Sequence, residues 1–209
     1  VAANETDAIV LDVRHQNDFV KGHIPRSIFI GLDGTFAPWV GALIADVKQP
    51  VLMIVPEGRE EETIIRLSRV GFDNTIGYLE GGFEAWKKAS KEYDTITSIS
   101  AETFREIIED HESIESVPIF DVRKVSEFQA EHIVSAHNTP LDFLNEHFSE
   151  FPKNEMFYLH CLGGYRSVIA ASILKSRGIH NLIDIKGGYE TIIETEIPVT
   201  NYVCPKTLK

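Results

Sequence analysis

The chain contains the same pattern twice. Ile9-Val10-Leu11-Asp12-Val13-Arg14 is matched 109 residues later by Pro118-Ile119-Phe120-Asp121-Val122-Arg123. Asp18-Phe19 recurs as Glu127-Phe128, and His23-Ile24 as His132-Ile133. Further on, Gly71-Phe72 matches Gly178-Ile179, and Gly81-Gly82-Phe83-Glu84 matches Gly187-Gly188-Tyr189-Glu190 at an offset of 106. An offset that drifts so little over a whole unit predicts two domains of similar build, each of ordinary small-domain size. The expected division is 1–95 and 96–209, with the polar stretch Ser90 to Ser100 as the linker.

Within each unit, short β-branched runs alternate with helical patterns. In the second, strands are expected at Val117–Val122, Met156–Cys161 and Leu182–Lys186, and helices at Glu102–Asp110 and Ser167–Arg177. Gly178 ends the last helix, where a left-handed cap needs a residue without a Cβ. Alternating strand and helix predicts an α/β fold, a mainly parallel sheet flanked by helices in each unit.

Composition narrows the partners. Lys and Arg number 20 against 32 Asp and Glu, a net charge of −12, which repels nucleic acid and anionic membrane surfaces. No apolar run approaches a membrane span, and no secretory signal is visible. With only two cysteines, Cys161 and Cys204, a reducing cytoplasm is the expected location. The chain opens on Val1, which reads as a piece of something longer. The histidines show no metal-ligand spacing, so neither metal nor cofactor is expected.

One loop concentrates the chemistry. Phe157-Tyr158-Leu159-His160-Cys161 reads as a buried strand, followed by Leu162-Gly163-Gly164-Tyr165-Arg166-Ser167 and then directly by the helix. Cys161 thus stands at the carboxyl end of a parallel strand, where ligands bind in open α/β sheets. Gly163 and Gly164 allow several N–H groups to turn inward, and the first helical turn offers more. Such a nest, with Arg166 beside it, is expected to lower the thiol pKa and hold an anion. A core cysteine needs no such loop. Arg166 at a helix start opposes the dipole unless it binds an anion. His160, one residue earlier, is expected on the opposite face of the strand.

These features resemble a tandem rhodanese: a Cys-x-x-Gly-x-Arg-Ser loop in the second unit, and Asp-Val-Arg after the first strand of both. The resemblance implies transfer of sulfane sulfur through a Cys161 persulfide, from thiosulfate or a low-molecular-weight persulfide to a thiol. It implies that the amides of Leu162 to Ser167 cradle the sulfur and that Arg166 contacts the small anionic donor. Asp121 and Arg123 would order the loop after the first strand, with Glu127 as partner for Arg123. Glu131-His132-Ile133-Val134 departs from the family's Gly-His-Ile-Pro, kept at Gly22-His23-Ile24-Pro25, and implies an altered turn near the site.

The first unit lacks the nucleophile. Its matching loop is Val55-Pro56-Glu57-Gly58-Arg59-Glu60-Glu61-Glu62, with Ile54 or Val55 opposite Cys161. Three glutamates there would repel a persulfide, so this unit reads as inactive and structural. The apolar segment 34–44 reads as a core helix with Pro38 in its first turn, or as a surface for another domain. Together with 198–205 it resembles the rhodanese region fused behind metallo-β-lactamase-like persulfide dioxygenases, which implies a fused or associated domain of that kind. Cys204 reads as idle rather than as a resolving thiol. Two rival readings remain. A cysteine phosphatase needs five residues between Cys and Arg, whereas four stand here. A non-catalytic scaffold module is the other.

Overall fold

The computed structural model describes residues 6–204. Contacts divide the chain into two units, residues 1–95 with 175–177 and residues 96–174 with 178–209. In the first, β1 (Ile9–Asp12) leads to α1 (Gln16–Lys21), β2 (Ile28–Phe29), α2 (Phe36–Leu43), β3 (Val51–Ile54), α3 (Glu60–Ser68), β4 (Thr75–Tyr78) and α4 (Gly82–Lys88). The strands form one parallel sheet in the order β2-β1-β3-β4.

The second unit opens with β5 (Ser98–Ile99), α5 (Ala101–Glu109), β6 (Ile119–Asp121) and α6 (Val125–Ala130). It continues with β7 (His137–Asn138), α7 (Leu144–His147), β8 (Phe157–His160), α8 (Tyr165–Ser176), β9 (Leu182–Ile185) and α9 (Gly188–Ile192). Its parallel sheet runs β5-β9-β8-β6-β7. Side chains alternate across a strand. One face therefore packs Ile119, Tyr158 and Ile185 against Phe104 and Ile108 of α5 and Tyr189 and Ile192 of α9. The other presents Phe120, Phe157 and Leu159, with Phe151 tilted against Phe120 at 4.8 Å between ring centres. The α/β architecture is the one the alternating pattern predicts.

One expectation changes, and of two readings left open one is decided. The polar stretch 90–100 is not all linker, because Ser98–Ile99 pairs with Asp184–Ile185 as an edge strand and Ser100 caps α5. A two-residue strand is too short to leave a period in sequence. Segment 34–44 is a core helix: Phe36, Trp39 and Val40 are buried, so its large apolar side chains do not form an outward surface.

The structure also explains the repeated pairs. His23 stacks on Phe19 at 4.0 Å and its Nδ1 meets the Phe19 carbonyl; His132 does the same with Phe128 at 3.7 Å. These histidines tie a helix to the turn after it. The departure at Glu131 and Val134 does not alter that turn, contrary to expectation. Gly22 and Glu131 share an extended backbone, with φ of 174° and −170°, so Gly is not required there. Arg26 and Ser135 both sit left-handed, at φ 66° and 70°. Val134, unlike proline, keeps an N–H, which donates to the Pro198 carbonyl at 2.9 Å.

Candidate functional site

Cys161 follows β8 directly, and α8 begins at Tyr165, so the loop between them is only four residues long. Gly164 takes φ +88°, a conformation that costs glycine nothing. This turns its N–H to the Cys161 sulfur at 3.2 Å. Ser167, in the first turn of α8, is buried beside the sulfur; its hydroxyl donates to the Gly164 carbonyl at 3.4 Å, and its donors favour the charged form of the sulfur. One fixed N–H is therefore aimed at the sulfur, at the opening turn of α8. Gly163 is not left-handed; a Cβ there would come within 3.2 Å of the Glu190 carboxylate. Leu162 and Gly163 lie at the surface, and Tyr165 is half-buried.

From the other side, α9 clamps the loop. The N–H of Tyr189 donates to the Cys161 carbonyl at 2.7 Å, and that of Glu190 to the Leu162 carbonyl at 3.0 Å. Gly188, at φ +58°, lies so close that a Cβ would meet the Leu162 carbonyl oxygen at 2.6 Å and that of Cys161 closer still.

The electrostatics depart from expectation. Cys161 is 1% exposed, and burial pushes its thiol up, outweighing the Ser167 hydrogen bonds and the Arg166 charge. Desolvation penalises the anion more than two donors and one shared cation relieve it. Arg166 is shared because Glu127 holds it in a two-pronged ion pair at 2.6 and 2.8 Å. Burial alone would raise the Glu127 carboxyl, yet the Arg166 guanidinium holds it below the usual carboxylate range. The expected partnership of Glu127 with Arg123 is therefore corrected: Glu127 partners Arg166.

Arg123 is committed elsewhere. Its Nε and Nη2 grip both oxygens of Asp121, Nη2 also donates to the Glu131 carbonyl at 2.9 Å, and the guanidinium lies 3.9 Å above the Tyr189 ring. Burial works against the Asp121 charge, but the Arg123 guanidinium on both its oxygens keeps the carboxyl low. His160 points to this face, its Nε2 3.8 Å from Asp121, and burial lowers its pKa. Asp12 and Arg14 repeat the pair in the first unit, with Gly22 supplying the carbonyl. Asp121 and Arg123 thus brace the strand ends behind the loop and do not touch the sulfur.

One residue escaped the sequence reading. Asp184 on β9 is 2% exposed, accepts from the Ser98 hydroxyl at 2.9 Å and interacts with the Ser167 hydroxyl. Burial pushes its carboxyl up to about 6 against those two hydroxyls.

The first unit resolves its own alignment. Asp12 pairs with Ile54 as Asp121 pairs with His160, so Val55 occupies the place of Cys161. Gly58, at φ +79°, repeats Gly164. Glu60 stands where Arg166 does, which reverses the charge. Here α4 stands off: a Cβ on Gly82 would lie 3.6 Å from the Val55 carbonyl oxygen. A cavity of about 740 Å³ opens between them, lined by Arg14, Asp18, Val55, Glu57, Phe83 and Tyr93 among others.

Cys204 is exposed, Cys161 is buried, and no disulfide joins them; Pro205 lies outside the described residues. Among the described residues, no His, Cys, Asp and Glu side chains gather as a metal site, and no helix is long and apolar enough to cross a membrane.

Comparison with known proteins gives a family match over both units: the rhodanese-like domain matches residues 2–89 and 100–195. YrkF of Bacillus subtilis, a candidate sulfur carrier by name, is 31% identical over 100 residues, which are 48% of this chain and 52% of that protein. The chloroplastic rhodanese-like domain-containing protein 15 of Arabidopsis thaliana is 32% identical over 91 residues, 38% of this chain and 50% of that protein. The chain spans about half the length of the curated relatives it matches. Among solved structures, a rhodanese-related protein of Thermoplasma volcanium is 28% identical with a TM-score of 0.44, covering 50% of this chain and 97% of that one.

Proposed function

Because the chain belongs to the rhodanese-like domain family, we propose that its second unit is a sulfurtransferase that carries sulfane sulfur on Cys161. The carrying observation is the Cys161 sulfur at the carboxyl end of β8, with the left-handed Gly164 turning its N–H onto it at 3.2 Å just before α8. Fixed donors aimed at a developing anion stabilise it without reorganisation. In the reaction, the Cys161 thiolate attacks the outer sulfur of the donor and forms a new S–S bond. The old S–S bond breaks, and its electron pair leaves with sulfite from thiosulfate, or with a thiolate from a small persulfide. Cys161 then holds the outer sulfur as a persulfide anion, until an acceptor thiolate attacks that sulfur and restores the cysteine.

Burial keeps water from the persulfide, and the small circle of donors suits one sulfur atom. The four-residue spacing to Arg166 favours this over phosphoryl transfer. An anionic donor reaches the Arg166 charge in competition with Glu127, which makes that pair the selective element of the site. The first unit, with Val55 in place of the nucleophile, is assigned a structural role. A fused or associated metallo-β-lactamase-like domain would oxidise persulfide while this part moves sulfur; that reading rests on the resemblance of segments 34–44 and 198–205 alone.

Incubation with thiosulfate or glutathione persulfide should add one sulfur atom to the Cys161 peptide, read by mass spectrometry. Cys161→Ser should abolish the addition, and Cys204→Ser should retain it. No added sulfur with either donor would favour a non-catalytic binding module.

A further inference from the structure

Beside the loop that carries Cys161 stands a carboxylate that the proposed transfer does not use. Glu190 lies in the first turn of α9, and its N–H holds the Leu162 carbonyl at 3.0 Å. Its side chain turns back over the loop, so that a Cβ on Gly163 would stand 3.2 Å from the Glu190 Oε2. The residue is exposed, and among the described residues no hydrogen bond or ion pair engages its carboxylate.

The repeat shows what the second unit lacks. In the first, the matching carboxylate of Glu84 is paired with Lys87, one turn on, at 2.7 Å. At the same offset of 106 the counterpart of Lys87 is Ile193, an exposed apolar side chain. Lys21, the other lysine that lines the cavity of the first unit, is matched by Ala130. Arg166 does not make up the difference, because Glu127 grips both its Nη atoms. Behind the loop, Arg123 and Asp121 cancel. Glu190 is thus left as an uncompensated negative charge at the loop, in a chain whose net charge is −12.

We propose that Glu190 selects the sulfur donor, favouring persulfides of small aminothiols over thiosulfate. Selectivity is a difference of affinities, and one charge supplies both halves of it. Thiosulfate carries two negative charges and no positive one, so the Glu190 carboxylate repels it. An aminothiol persulfide carries an ammonium group, which pairs with that carboxylate while the outer sulfur faces Cys161. Gly163 stands two residues after Cys161, at most about 7.6 Å between Cα atoms, so an ammonium two or three carbons from the sulfur bridges the distance. Leu162 and Ile193, both exposed, offer the stem apolar contact. The transfer itself is unchanged: Cys161 bonds the outer sulfur, the old S–S bond breaks, and the aminothiolate leaves with its electron pair. Glu190 meets the far end of the donor and no reacting atom. This selectivity rests on the sulfur-transfer reading of Cys161, and a binding measurement separates the two.

Sulfur loading of Cys161 is measured with cysteamine persulfide, its hydroxyl analogue 2-hydroxyethyl persulfide, and thiosulfate. An exposed ion pair is worth at most about fivefold. Glu190→Gln should therefore raise KM for cysteamine persulfide and lower KM for thiosulfate, each by about threefold. Glu190→Lys should widen both shifts, and salt at about 1 M should remove them. 2-Hydroxyethyl persulfide, without the ammonium, should follow thiosulfate. If all three donors move the same way, Glu190 shapes the loop and does not read charge, and the proposal falls; unchanged KM values sink it too. S-Methylcysteamine, which has no sulfur to give, should shift the Gly163 amide resonance of the wild type, and Glu190→Gln should lose that shift. 2-(Methylthio)ethanol should cause none in either protein. Absent shifts, or equal ones from the amine and the alcohol, overturn the proposal whatever the donors do. If no donor loads sulfur while the amine-specific shift is present, the proposed function fails and the Glu190 site stands.

Discussion

Gly188→Ala strikes the contact on which the loop depends. At φ +58° an L side chain is strained by about 1–2 kcal/mol. The new Cβ would stand 2.6 Å from the Leu162 carbonyl oxygen, where ordinary carbon–oxygen contacts begin near ~3.3 Å, so the loop must retreat by roughly 0.7 Å. Retreat stretches the two hydrogen bonds from the Tyr189 and Glu190 amides, each worth ~0.5–1.5 kcal/mol net. The sum is a loss of about 2–5 kcal/mol, measurable by urea unfolding. The same movement displaces the sulfur relative to its donors, and a misplacement of about 1 Å can cost ~100-fold in rate. Single-turnover sulfur loading of Cys161 should fall by about that much. Gly178→Ala is the control: its φ is +93°, but nothing lies within 4 Å of the new Cβ. It should lose stability to strain and keep the loading rate. If Gly188→Ala loads sulfur as fast as wild type, α9 does not hold the loop in register, and the clamp is unimportant.

Glu127→Gln frees the Arg166 guanidinium, and KM for thiosulfate should fall by about tenfold, the worth of one charged hydrogen bond; a rise in KM would show that Glu127 aims the arginine. Asp184 predicts a pH-dependent stability. Its carboxyl is raised from 3.8 to about 6, so the folded state holds the proton longer and stability declines as pH rises through that window. Asp184→Asn should escape this decline, gaining up to ~3 kcal/mol on wild type between pH 4 and 6 in urea titrations; parallel profiles would contradict the assigned burial cost. Val55→Cys in a Cys161→Ser background should load no sulfur, because Glu60 stands where Arg166 would be; an added sulfur atom on the new thiol would refute that.

The repeat was legible because it is written in features that survive in sequence. Glycines with left-handed backbones recur at 58 and 164, and the Phe19–His23 and Phe128–His132 stacks recur with their helices. The nucleophile loop was legible for the same reason. What could not be read is who neutralises whom. Glu127 and Arg166 are 39 positions apart, and either arginine near that carboxylate was a reasonable partner until Asp121 was seen to saturate Arg123. Asp184, between Ile183 and Ile185, carries no local signal that marks it as buried. Its burial depends on Ser98, 86 positions away on a strand two residues long, and on the helix that covers the face. The thiol pKa failed similarly, because a loop motif displays its donors but not the lid that dehydrates them.

The difference between the closed loop of the second unit and the open one of the first has a consequence for what each can absorb. In the second unit the segment 161–164 is in contact with the N-terminal turn of α9, so an inserted residue or a new side chain is passed on to the sulfur. In the first, the corresponding 55–58 segment borders empty space, and the same change is taken up locally. Duplication has thus left one copy rigidly committed and the other free to vary. Loop insertions and randomised libraries placed at 56–58 should be tolerated by the fold, whereas the same libraries at 162–164 should return almost only the parent sequence.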